Sequence, residues 1–171
     1  MLKDLNLNLV LVPFAVLILV VLLYLYLYNK AGEKSVFKQL TLRVVGLAFL
    51  LNLIWELAQG PLYEGYVYDF QHIAFCALAS VADAIMVVLL YFSFALVLKD
   101  SLWIKKLSFL QTFLLLVVGG AGAILAEIRH TAAGNWAYAE TMPLVPLVNV
   151  GLSPVLQFTL LPVVIYVVSF R

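Results

Sequence analysis

Charged side chains are scarce in this sequence: Asp, Glu, Lys and Arg make up 11% of its 171 residues, against about 25% in an ordinary soluble domain. Apolar residues fill 65% of the chain, and no soluble fold of this length has interior enough to hide them. The net charge is only +1 and no run of five or more like charges occurs, so nothing offers an electrostatic footprint for nucleic acid. A single cysteine, Cys76, excludes an internal disulfide, and its apolar neighbours mark it as a buried thiol. Glycine-rich phosphate loops, a Gly-x-Ser-x-Gly elbow and His-Glu-x-x-His are all absent, which leaves phosphoryl transfer and serine-type hydrolysis without support. No repeat, low-complexity tract or flexible linker divides the chain, and residues 1–171 read as one domain.

What the sequence does have is long apolar runs. Leu7 to Tyr28, Leu40 to Leu57, His72 to Leu98, Leu107 to Ala126 and Val148 to Phe170 are each long enough to cross about 30 Å of hydrocarbon as a helix. The first is longer than a signal-peptide core and lacks a small-residue cleavage pattern, so it reads as a retained helix. Backbone groups in lipid must be satisfied within their own element, which makes the class all-α: a polytopic bundle of five transmembrane helices. Lys30, Lys34, Lys38 and Arg43 flank the first connection, Lys99, Lys105 and Lys106 the third, and Arg171 ends the chain. The positive-inside rule makes these segments cytoplasmic, leaving only Lys3 and Arg129 outside, with the amino terminus out and the carboxyl terminus in. Pro143, Pro146, Pro154 and Pro162 predict an irregular lead-in to the fifth helix and kinks within it. Gly119, Gly120 and Gly122 predict close helix packing in the fourth.

Ionisable residues at membrane depth cost at least a few kcal/mol and usually face a bundle interior. Glu56 and Asp83 are the clearest cases; Asp83 lies eleven residues past His72, roughly 16 Å down the third helix. Helical spacing groups Asn52, Glu56 and Gln59 on one face, His72 and Asp83 on another, and Asn149, Ser153 and Gln157 on a third, while Glu127 and His130 end the fourth run. Four helices turned inward would enclose a polar cavity opening toward the outer side. Interhelical hydrogen bonds from Asn, Gln and Ser can equally serve as packing glue, at ~0.6 kcal/mol each. Asp69 is placed to cap the third helix at the amide of His72. Glu64, Asp100 and Glu140 read as solvated loop charges. The first helix has no polar stripe and is expected to face lipid or a protein partner.

Several chemistries fit these residues. A carboxyl withdrawn from water favours its neutral form, and such a group is a general acid able to protonate an alkene. Trp55, Tyr63, Tyr66, Trp136 and Tyr138 offer π-faces to a developing carbocation, and a lipidic or isoprenoid substrate can reach them sideways from the membrane. Asp69-x-x-His72 and Glu127-x-x-His130 have the carboxylate–imidazole spacing of di-metal sites, which makes Asp69, His72, Glu127 and His130 an alternative metal set. A proton relay lacks any ionisable group between Asp83 and the cytoplasmic side. A non-catalytic subunit that binds lipid, pigment or metal for a larger complex also fits. No cofactor is specified.

Trp55-Glu56-Leu57-Ala58-Gln59 with Pro61-Leu62-Tyr63, and Trp136-Ala137-Tyr138 with Met142-Pro143, Pro146, Gly151-Leu152-Ser153-Pro154 and Gln157, resemble a family of small bacterial integral membrane proteins of no assigned activity. That resemblance implies a bacterial inner-membrane location. Asn52-Leu53-Ile54-Trp55-Glu56 is similar to the Asn-x-x-Trp-Glu segment of fungal integral-membrane terpene cyclases and implies Glu56 as proton donor. Those enzymes have more helices and a second acid late in the chain, whereas Asp83 comes early here. The expectation is acid–base chemistry, of isomerase or cyclase type, by Glu56, Asp83, Glu127 and His130. Asn52, Trp55, Gln59, His72, Trp136, Tyr138, Asn149, Ser153 and Gln157 are expected to bind the substrate.

Overall fold

A computed structural model describes residues 7–171, with side chains from residue 11 onward; Lys3, counted above among the outer charges, lies outside the described residues. The chain is all-helical: α1 (Leu7–Lys30), α2 (Lys34–Gln59), α3 (Phe70–Leu98), α4 (Phe109–Ala132) and α5 (Leu152–Phe170), with a two-stranded hairpin of β1 (Leu144–Val145) and β2 (Val150–Gly151) before α5. All five helices are long and apolar enough to span a membrane, and the protein is a polytopic membrane bundle. Large side chains such as Leu42, Leu125 and Val97 point outward, as a lipid-facing belt requires.

Local signals explain the ends. Asp69 caps α3, accepting the His72 amide at 2.8 Å. Ser108 and Gln111 form a reciprocal capping box at the start of α4. The short turns at Gly60–Leu62 and Trp103–Lys106 are 3₁₀ in form. The helices overrun several of the hydropathic runs: α2 begins at Lys34 rather than Leu40, and α4 continues past Ala126 to Ala132. Apolar runs mark hydrocarbon contact, whereas a helix can continue into the interfacial layer on polar residues with good helix propensity.

The fifth run corrects in the other direction. Its helix starts at Leu152, not Val148, because the chain first closes a hairpin in which Leu144 faces Gly151 and Val145 faces Val150. Pro154 sits in the first turn of α5, where a missing N–H breaks no helical bond. Asn149 is therefore not on the Ser153–Gln157 face. It occupies the hairpin turn with φ of 53° and is exposed, a conformation Asn tolerates better than most residues.

Packing follows the order α1, α3, α2, α5, α4. The central helix α2 lies against α3 on one side and α5 on the other, α4 lies on α5, and α1 lies on α3. Among the described residues, no comparable backbone packing joins α3 to α4 or to α5. The half of the bundle nearer the α1–α2 and α3–α4 connections is filled by aromatic rings: Tyr24, Phe37, Tyr91, Phe92, Trp103 and Tyr166. Their polar tips reach backbone carbonyls, with Tyr166 Oη donating to Val87 at 2.7 Å and Trp103 Nε1 to Tyr91 at 3.1 Å. That plug closes one half of the bundle and leaves the other half to the polar groups.

The glycines divide. A Cβ on Gly119 would collide with the Phe158 carbonyl, and one on Gly120 would meet the Thr159 hydroxyl, so both allow α4 to approach α5 closely, while Gly122 faces open space and needs another explanation than packing. Gly119→Ala is expected to lower the thermal midpoint in mild detergent by an amount equivalent to about 1–3 kcal/mol. Gly122→Ala is expected to leave it unchanged or raise it slightly.

Candidate functional site

Three amide side chains and two carboxyls meet between α2, α3 and α5. Gln59 Nε2 donates to Glu56 Oε1 at 2.7 Å and to Gln157 Oε1 at 3.0 Å. Gln157 Nε2 lies 2.9 Å from Asn52 Oδ1, 3.1 Å from Glu56 Oε1 and 3.1 Å from Asp83 Oδ2. An amide nitrogen has two hydrogens, so Gln157 serves two of these three acceptors at a time. Glu56 and Asp83 are thus brought together at a single amide nitrogen, each with an oxygen 3.1 Å from Gln157 Nε2. From the other side, Trp55 Nε1 donates to Ser153 Oγ at 3.2 Å, whose hydroxyl donates to Gln59 Oε1 at 2.8 Å. Asn52, Gln59 and Gln157 are buried, and Glu56 and Asp83 half-buried.

This network forms the floor of a cavity of about 420 Å³, within the range of small-molecule sites. Its α3 wall is His72, Phe75, Cys76, Ala79 and Asp83, which repeat at helical spacing on one face. Across from it stand Pro154, Gln157 and Phe158 of α5 and Glu127 of α4. The two loops at this end form the roof: Glu64 N donates to Ala137 O at 3.0 Å and Ala139 N to Leu62 O at 2.9 Å, which brings Tyr63 and Trp136 edge to face. Gly60 admits the Tyr66 ring where any side chain would collide with it.

Glu127 is the third carboxyl of the cavity, buried at 6% exposure. Trp136 Nε1 donates to its Oε2 at 3.2 Å, and the Tyr138 hydroxyl donates to the same oxygen. Burial first, then the bond to Glu127, pushes the Tyr138 phenol above its ordinary range. Burial, reinforced by Glu127, does the same for Tyr63. Both remain neutral O–H groups at physiological pH. Asp69 is opposite in character: the His72 amide, then its ring, hold the carboxyl below the usual aspartate range. The stability this cap contributes is complete at neutral pH and is lost as pH falls through that lowered value.

Of the residues singled out in the sequence, Glu56, Asp83, Gln59, Gln157, Glu127, His72 and Trp136 line the cavity, and Asn52, Trp55, Ser153 and Tyr138 brace it from behind. His130 does not join the carboxyls. It stacks on Trp136 with ring centroids 4.5 Å apart and lies 2.8 Å from Asn135 Nδ2, which makes it a positioning residue for the roof. Asn149 stays outside. The metal set is not assembled: Asp69 and His72 pair with each other at 2.8 Å on the rim, Glu127 is taken by Tyr138 and Trp136, and among the described residues no three such groups converge as ligands. Phe75 and Ala79 were missed, although they share the spacing of His72 and Asp83; Asn135 carried no sequence signal.

No protein-family model, curated protein or solved structure matches this chain.

Proposed function

We propose that this protein is an intramembrane acid–base catalyst acting on an unsaturated, isoprenoid-like lipid. The observation that carries the proposal is the pair Glu56 and Asp83, sharing Gln157 Nε2 at the floor of an aromatic-walled cavity. In a redox-neutral cycle, the protonated member adds its proton to an alkene carbon, and positive charge develops on the neighbouring carbon. The π-faces of Tyr63, Trp136 and Phe75 stabilise that charge. The ionised member then removes a proton from an adjacent carbon, which shifts the double bond or completes a ring closure. Passing the proton across the carboxyl pair restores the starting state, so no cofactor is consumed. The similarity of Asn52 to Glu56 to membrane terpene cyclases supports Glu56 as the donor.

The test is solvent exchange into carbon. Purified protein reconstituted with lipids that co-purify in mild detergent, and incubated in D₂O, should yield a lipid with deuterium on a carbon and an altered double-bond position or ring count. No incorporation into any co-purified or isoprenoid lipid sinks the proposal.

The distribution of Lys30, Lys34, Lys38, Arg43, Lys99, Lys105 and Lys106 supports a cytoplasmic placement for the aromatic-plugged end. The cavity then opens on the outer face of what the family resemblance makes a bacterial inner membrane. A reporter active only outside the cytoplasm should be silent when fused to the carboxyl terminus; an active one reverses the topology.

A second reading is a non-catalytic subunit. It is supported by α1, which packs chiefly on α3 and carries no polar stripe of its own, leaving it free to dock on a larger complex.

A further inference from the structure

The charge inventory of the cavity narrows its ligand, given the acid–base reading above. Glu56, Asp83 and Glu127 all line one space, Glu64 stands at its rim, and among the described residues no Lys or Arg lines it. The arginine at this end, Arg129, is exposed and is not among the lining residues. The imidazole on the wall, His72, is already matched by Asp69. The hydrogen-bond donors within reach of the floor, Gln59 and Gln157, are directed at the carboxyls themselves.

A phosphate or diphosphate placed here would meet several carboxyls and, among the described residues, no Lys or Arg; the neutral hydroxyls of Tyr63 and Tyr66 do not balance that charge. Like-charge juxtaposition away from water is strongly unfavourable, and specificity against a ligand is commonly built this way. An uncharged alcohol or hydrocarbon end meets no such penalty. The route in agrees with this. The backbone of α3 does not pack closely on α4 or α5, and the cavity wall between them carries apolar side chains, including Phe75, Ala79 and Phe158. A hydrocarbon chain can pass there from the bilayer, whereas a charged headgroup would have to leave the interface.

We infer that the site selects a phosphate-free lipid, with an uncharged end among Glu56, Asp83 and Glu127, and excludes prenyl phosphates and phospholipids by charge. The test is competitive retention of geranylgeraniol and geranylgeranyl diphosphate by the whole protein in mild detergent, read by native mass spectrometry at neutral pH. The alcohol should be preferred by roughly 100-fold. Glu127→Gln and the double variant Glu56→Gln/Asp83→Asn should each erode that preference and the triple variant should remove most of it, with an unchanged size-exclusion profile and thermal midpoint confirming that each variant is folded. Equal or better retention of the diphosphate overturns the inference, as does retention of neither probe, or a preference the neutral variants leave intact. A preferred alcohol that gains no deuterium on carbon leaves the charge selection standing and removes the acid–base reading instead.

Discussion

Replacing Gln157 with Leu should be the most damaging single change in the interior of this protein. The side chain is 1% exposed and is the node through which α5 meets Asn52 and Glu56 of α2 and Asp83 of α3. Leucine matches its bulk and contributes nothing to any of those partners. The buried Asn52 side-chain carbonyl loses its donor, one hydrogen of Gln59 loses its acceptor, and two carboxyls lose the amide between them. Stranding buried polar groups costs about 1–3 kcal/mol apiece and more where a charge is left unpaired, so a loss of roughly 3–5 kcal/mol is expected. The measurement is the thermal midpoint in mild detergent, read from the intrinsic fluorescence of Trp55, Trp103 and Trp136. A midpoint within error of the wild type would mean that the five side chains are not a coupled network. Gln157→Glu, which keeps the shape and two acceptors but no donor, should also destabilise.

Glu56→Gln and Asp83→Asn should act on chemistry while sparing the fold. Each amide keeps an oxygen to accept from Gln157 Nε2, and Asn52, Ser153 and the aromatic plug are untouched. What each variant lacks is the proton that a carboxyl can give or take. General acid–base groups contribute typically 10²–10⁴-fold, and either substitution should lower deuterium incorporation into lipid by about that factor. The double variant should do little further harm, since the pair passes one proton between its members and either loss breaks the cycle. Unchanged turnover in both single variants would remove the pair from the mechanism and favour the subunit reading. Variants that keep turnover but lose association with a co-purifying protein would favour it directly.

The proposed acid–base reading rests on the position of the two acids. Carboxyls on outward surfaces, or each neutralised by a basic partner with no void beside it, would have left only a hydrophobic bundle. Instead Glu56 and Asp83 share Gln157 Nε2, among the described residues no Lys or Arg lines their surroundings, and a cavity of about 420 Å³ lies against both.

Composition and periodicity by themselves determined the membrane class, the number of helices and the inward faces of Asn52, Glu56 and Gln59 and of His72 and Asp83. These follow from local physics: lipid demands helices of a given length, and a polar group on a helix must turn from lipid. They also located the Asp69 cap, since a cap is a contact between near neighbours in the chain.

Tertiary structure decided everything that depends on which helix stands beside which. Gln157 reaches Asp83 and Glu56 across 74 and 101 positions of sequence, and Glu127 is claimed by Trp136 and Tyr138 from a loop with no helical period to betray it. The same is true of the exclusions. Asn149 has the spacing to extend the Ser153–Gln157 face, but the hairpin ending at Gly151 sets where α5 begins. His130 shares a helical face with Glu127, yet the loop brings Trp136 over it and draws it into the roof. Spacing along a chain specifies direction within one element, whereas a site requires directions from several elements to converge, and that convergence is set only when the helices pack.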